Sequence, residues 1–162
     1  MPAPPPMRFV SRSESAQLLA TRDSKSRLRA TIDLAENRLT QAENFTAQKK
    51  FDEASEEIGS YLGLIDDLRT FIASLNRDKS STRDLYRHME IAVRAHIPRL
   101  AVMRRTTPVS YAVNIKDAEE YIKEARAEAL DSFYGHTVLR DVPTPQKKPE
   151  QSNNPPDGIK HP

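Results

Sequence analysis

The stretch Ala54–Leu75, ASEEIGSYLGLIDDLRTFIASL, decides the fold. Ala54, Ile58, Tyr61, Ile65, Leu68, Ile72 and Leu75 follow one another at alternating spacings of four and three, a heptad seam with every a and d position apolar. Leu62, Leu64 and Phe71 flank the seam, so the apolar stripe is wider than a two-stranded coiled coil needs. The pattern predicts a central helix touching two neighbours in an all-α domain.

The pattern recurs on both sides. Upstream, Leu28, Ile32, Ala35, Leu39 and Ala42 repeat the spacing, with Phe45 beside them, and predict a first helix from Ser13 to about Gln48. Continued backwards, this seam meets Lys25 and Thr21 before Leu18, which makes its first two turns the weakest. A tight break at Lys49–Asp52 leads into the central helix, whose first turn carries Asp52 and Glu53 at the positive end of the helix dipole. Downstream, Asn76–Thr82 is a loop of turn formers, and Ser81 or Thr82 is the expected cap of a third helix. Leu85, Met89, Ala92, His96, Leu100 and Met103 mark its inner face, and Pro98 either bends it or splits it in two. Val109, Tyr111, Val113 and Ile115 alternate like a strand, but a lone strand has no partner. Tyr111, Ile115, Ala118, Ile122, Ala125 and Ala129 instead predict a helix that begins between Pro108 and Ile115 and is capped by Gly135.

Together these segments predict an antiparallel three- or four-helix bundle over residues 13–135, centred on a long helical hairpin. Residues 1–12 are Pro-rich and read as disordered, with nothing to pack against, and residues 136–162 read as a disordered Pro-rich tail. Ala42, Phe45, the turn QKKFDEA at 48–54 and Ile58 resemble the inner half of a tetratricopeptide helix–turn–helix, over about twenty residues. The resemblance implies a helical hairpin closed by that turn.

Charge adds an architectural clue. Residues 11–50 are net +3, residues 51–77 net −4, residues 83–105 net +4 and residues 116–131 net −3. In an up-down bundle with short loops, sequence neighbours lie side by side, so each helix is expected to face one of opposite sign.

Composition narrows the functions. The 162 residues include no Cys, which excludes disulfides, thiolate metal sites and thiol catalysis. No apolar run is long enough for a membrane span. The start, MPAPPPMRFVSRSES, lacks the apolar core of a signal peptide. The sequence as written therefore reads as cytoplasmic, with export after signal removal as the alternative.

His88 and His96 stand two helical turns apart, about 12 Å of rise, and cannot share a metal alone. Asp84 and His88 are four apart, but no third ligand is apparent, and the Glu-x-x-His pairs of a di-iron bundle are missing. His96 on the apolar face reads as a core residue and His88 as a surface one. Neither metal nor cofactor is expected. The carboxylate pairs Glu53/Glu57, Asp66/Asp67, Glu120/Glu124 and Glu124/Glu128 sit among Lys and Arg and read as solvated charge, and no Gly-rich phosphate loop is present. Enzymatic activity is not expected. Asn44-Phe45-Thr46 matches a glycosylation sequon but falls mid-helix.

Two surfaces remain. Gly59 and Gly63 lie opposite the seam of the central helix and mark a shallow groove where another chain can approach closely. Arg83, Arg87, Arg94, Arg99, Arg104 and Arg105 make the third helix basic, suited either to acidic neighbouring helices or to phosphates. The expected function is a non-catalytic scaffold or adaptor that binds a protein partner or itself. The alternative is a nucleic-acid-binding helical module using residues 83–105.

Overall fold

The computed structural model describes residues 1–141, which form five helices. These are α1 (Arg12–Leu19), α2 (Ser24–Ala47), α3 (Phe51–Ala73), α4 (Ser80–Arg105) and α5 (Val109–Asp141). The sequence predicts a tail over residues 136–162; α5 instead extends to Asp141, and residues 142–162 lie outside the described residues. Among them, no helix is long and apolar enough to cross a membrane.

The first helix is broken where its seam meets Thr21 and Lys25. Ser11, not Ser13, opens α1, in a capping box with Glu14: the Glu14 backbone N–H donates to the Ser11 hydroxyl, and the Glu14 carboxylate accepts from the Ser11 backbone N–H. Thr21 donates to the Leu18 carbonyl at 2.5 Å, and the Asp23 carboxylate restarts the chain by accepting from Ser26 N–H at 2.7 Å. The short α1 packs on α2, with Leu18 buried in the core.

At the other end of α2, Lys50 N–H donates to Phe45 O and Lys49 N–H to Thr46 O. This is a Schellman closure, with Lys49 in the left-handed region at φ 59° where glycine is usual. The α3 that follows is buried without interruption from Ile58 to Ile65. A helix that is buried all round has neighbours on every side, more than the two its seam predicted.

Helix α4 is continuous through Pro98. Its N-cap is Lys79, without a side-chain cap, in place of the expected Ser81 or Thr82. Helix α5 includes 109–115, so the strand-like alternation there is helical. It also runs past Gly135, which is not its cap; one glycine in a helix costs only about 1 kcal/mol and does not by itself end one. Ala118, Ala125 and Ala129 are buried along α5 and allow the close approach of α4.

The helices form two hairpins, α2/α3 and α4/α5, each antiparallel inside. Between the hairpins the neighbours run parallel. Glu36 meets His96 and Glu43 meets Arg99 across α2/α4. Asp52 meets Tyr111 and Asp66 meets Tyr121 across α3/α5, with the same rising register. Helices α3 and α4 lie on a diagonal, their backbones well apart and joined through Tyr61 and His96 in the core, so residues 74–79 cross the stack.

This corrects the expected charge pairing. Opposite signs do meet inside each hairpin, as Arg27–Asp67 and Arg38–Glu57 in the first and Arg104–Glu119 and Arg126–Glu90 in the second. Between hairpins, however, basic α2 lies beside basic α4 and acidic α3 beside acidic α5. Those contacts are made by minority charges: Glu43 with Arg99, and Arg69 with Glu128.

Candidate interaction groove

Residues 1–10 have no regular secondary structure, as their prolines dictate, yet they are not without a surface to pack on. They lie as an extended strap along α3 and α5. Across PAPPP at residues 2–6 the single backbone N–H is that of Ala3, because proline has none. It donates to the Ser110 carbonyl at 2.8 Å. The carbonyls of Ala3 and Pro4 accept from Asn114 Nδ2 at 3.1 and 3.0 Å. Asn114 is buried, and the strap takes both of its amide hydrogens.

Further along, the strap crosses the two glycines of α3. A Cβ on Gly59 would stand 3.1 Å from the Met7 carbonyl carbon and closer still to its oxygen. One on Gly63 would stand 2.7 Å from both the nitrogen and the carbonyl carbon of Phe9. Only glycine lets two backbones pass this near. The close approach at Gly59 and Gly63 is made by the chain's own N-terminus.

Beyond the groove the Arg8 guanidinium lies 4.2 Å from the centre of the Tyr121 ring, with Arg69 at 5.0 Å from the same centre. Tyr121 donates to Asp66 at 3.0 Å, and its burial pushes the phenol up from its ordinary pKa. Met7 and Phe9 expose their side chains while their backbones face the glycines. The groove therefore contacts the main chain more than the side chains.

The chain matches no family model, no curated protein and no solved structure.

The six arginines do not share one surface. Arg99 turns to Glu43 and to Thr40, and Arg104 turns to the buried Glu119. Arg94 is half-exposed and reaches Glu90 at 3.7 Å. Arg87 is exposed near the Phe133 ring, Arg83 is half-buried, and Arg105 is exposed.

The histidines are not brought together either. His88 and Asp84 line an open cleft of about 270 Å³ where α2 and α4 begin, together with Lys25 and Lys79. His96 is in the core. Its Nε2 lies 3.4 Å from Glu36 Oε1 and its Nδ1 2.8 Å from the Tyr61 hydroxyl. Burial holds its pKa below the ordinary histidine value, against the pull of Glu36. A carboxylate only accepts, so the neutral ring carries its proton on Nε2, donates to Glu36, and accepts from Tyr61 at Nδ1. Among the described residues no three His, Asp or Glu side chains are grouped as metal ligands.

The expected carboxylate pairs are largely engaged. Glu57 accepts from Arg38, Asp67 from Arg27, Asp66 from Tyr121 and Glu128 from Arg69. Asn114, which holds the strap, is the residue the sequence pattern did not single out. It stands one turn before Ala118 on the buried side of α5, and an amide at such a position signals a polar partner.

Proposed function

We propose that this protein is a non-catalytic helical scaffold or adaptor whose α3/α5 groove seats extended, Pro-rich chain segments through their backbone. One observation carries the reading: Asn114 spends both amide hydrogens on the Ala3 and Pro4 carbonyls, while Gly59 and Gly63 lie flush under Met7 and Phe9. A Pro-rich segment suits such a groove, since it is stiff before binding and rich in free carbonyls. The strap is then the resident ligand in cis, and a partner's segment competes with it.

The test is direct. A labelled peptide of residues 1–12 is titrated against the chain lacking residues 1–10, which keeps the Ser11 cap. Saturable binding to the truncated chain, lost with Gly63→Leu and weak against the full chain, is the expected result. Equal binding to the full chain, or none to the truncated one, would remove the groove as a recognition site.

The nucleic-acid reading of α4 draws on Arg83, Arg87, Arg94 and Arg105, because Arg99 and Arg104 are taken up by carboxylates. It keeps its own signature, binding that falls steeply with salt.

A further inference from the structure

Helix α4 has a second stripe, on its solvent side. Ile91, Ala95, Pro98 and Val102 follow at spacings of four, three and four, all exposed, with Ile91 at 44% and Val102 at 56%. The inner face is already supplied by Leu85, Met89, Val93, Leu100 and Met103. A helix with one side in water normally shows charge there. The exposed side of α5 does, with Asp117, Glu120, Lys123 and Glu124, and α2 shows Arg29, Asp33, Asn37 and Gln41. The α4 stripe departs from this pattern.

At Val102 the stripe opens into a cleft of about 390 Å³ between the C-terminal ends of α2 and α4. Phe51, Met103 and Ala47 supply its apolar lining. Lys49 also lines it, in the left-handed conformation of the Schellman turn. Arg94 and Arg105 stand exposed beside the stripe. Glu43, the cleft's carboxylate, is paired with Arg99.

We infer that this face binds a partner protein's amphipathic helix with acidic flanks, and that one bulky apolar side chain of that helix enters the cleft under Val102. The apolar stripe matches the seam of such a helix, and Lys49, Arg94 and Arg105 match its carboxylates. A second copy of α4 laid face to face would set these cations against each other. A nucleic acid would leave Ile91, Ala95, Pro98 and Val102 against phosphates. The stripe on α4 lies away from Gly59 and Gly63, while the cleft at its end adjoins the pocket under Pro6 of the strap, with Thr46, Phe51 and Met103 lining both.

The test uses the full chain and three labelled probes. These are a synthetic helical peptide with Leu at its heptad positions and Glu on both flanks, its Lys-flanked twin, and a DNA or RNA oligonucleotide. Fluorescence anisotropy is read at about 50 and 200 mM salt. The Glu peptide should bind, several-fold more weakly at the higher salt, and its Lys twin about tenfold more weakly or worse. Val102→Asp and Lys49→Glu should each weaken the Glu peptide about tenfold with helicity intact, while Lys123→Gln, which removes a cation from the exposed side of α5, leaves it unchanged. The inference is overturned by no binding of the Glu peptide, by equal binding of both peptides, by Val102→Asp binding as well as the parent, or by binding of the oligonucleotide alone.

Discussion

Gly63→Ala puts the strap to its sharpest test, because two physical effects oppose each other at that position. In an isolated helix interior the change is favourable by about 0.5–1 kcal/mol, since Ala restricts the unfolded chain and forms helix readily. In this protein the new methyl would stand 2.7 Å from the Phe9 nitrogen and carbonyl carbon. Both are backbone atoms that cannot swing aside as a side-chain tip would. Overpacking of this kind costs about 1–3 kcal/mol. The full chain should therefore lose about 1–2 kcal/mol, read as a lower urea midpoint in circular dichroism at 222 nm, with the denaturant slope unchanged. The chain lacking residues 1–10 has no strap to meet the methyl, and the same substitution should raise its midpoint by the propensity amount. The sign of the effect reverses between the two backgrounds. A stabilised full chain would refute the reasoning outright, for the strap would then not lie on Gly63.

Other substitutions probe single links. Lys49→Gly should raise stability by about 0.5–1 kcal/mol, because it relieves the left-handed backbone at φ 59°, and Lys49→Val should lower it; a shared direction in urea unfolding would count against strain at the turn. Arg38 joins Glu14 of α1 to Glu57 of α3, and Arg38→Met should cost about 2 kcal/mol at pH 7. Burial pushes the Glu14 carboxyl up, but hydrogen bonds from Arg38 and Ser11 outweigh it and hold its pKa below the usual carboxylate value. That contribution is complete above the unfolded carboxylate pKa and fades as pH falls through the folded one, so parent and variant should converge in acid. His96 has its folded pKa lowered, so the unfolded state takes up its proton first as pH falls below about 6.5. Stability should fall there by at most about 1.4 kcal/mol per pH unit, and the slope between pH 7 and 5 should flatten in His96→Gln.

The seam of α3 specified the architecture because it is dense enough to be read without its neighbours. The five residues Tyr61, Ile65, Leu68, Ile72 and Leu64 are fully buried, and all five were evident from spacing alone. Local turn chemistry was readable too: Ser11-x-x-Glu14 is a capping-box signature in plain view, and reading the start at Ser13 instead missed the separate α1. The split at Thr21 followed from the same residues that weakened the seam. Gly59 and Gly63 announced a close backbone approach, but glycine spacing does not say which chain approaches. That answer needed the path of residues 3–9, whose contacts span more than a hundred positions in the case of Asn114 with Ala3 and Pro4. A Pro-rich segment has no apolar period, so nothing in its own pattern distinguishes a seated strap from a free one.

The hairpin stacking shows a different limit. Net charge per helix predicts which helices tolerate one another, but individual pairs are set by where single residues fall on a helix face. Surface pairs contribute only about 0–1 kcal/mol each, so alternation of sign cannot force α3 against α4 when burial favours another arrangement. Burial does favour it, since laying α4/α5 along α2/α3 encloses the faces of α3 left open by α2. The like-charged neighbours that result need opposite charges at a few positions, and Glu36 and Glu43 on α2 and Arg69 on α3 stand there. Minority charges alone do not give the stack, since Glu90 on α4 and Arg126 on α5 are minority charges too and pair inside the second hairpin.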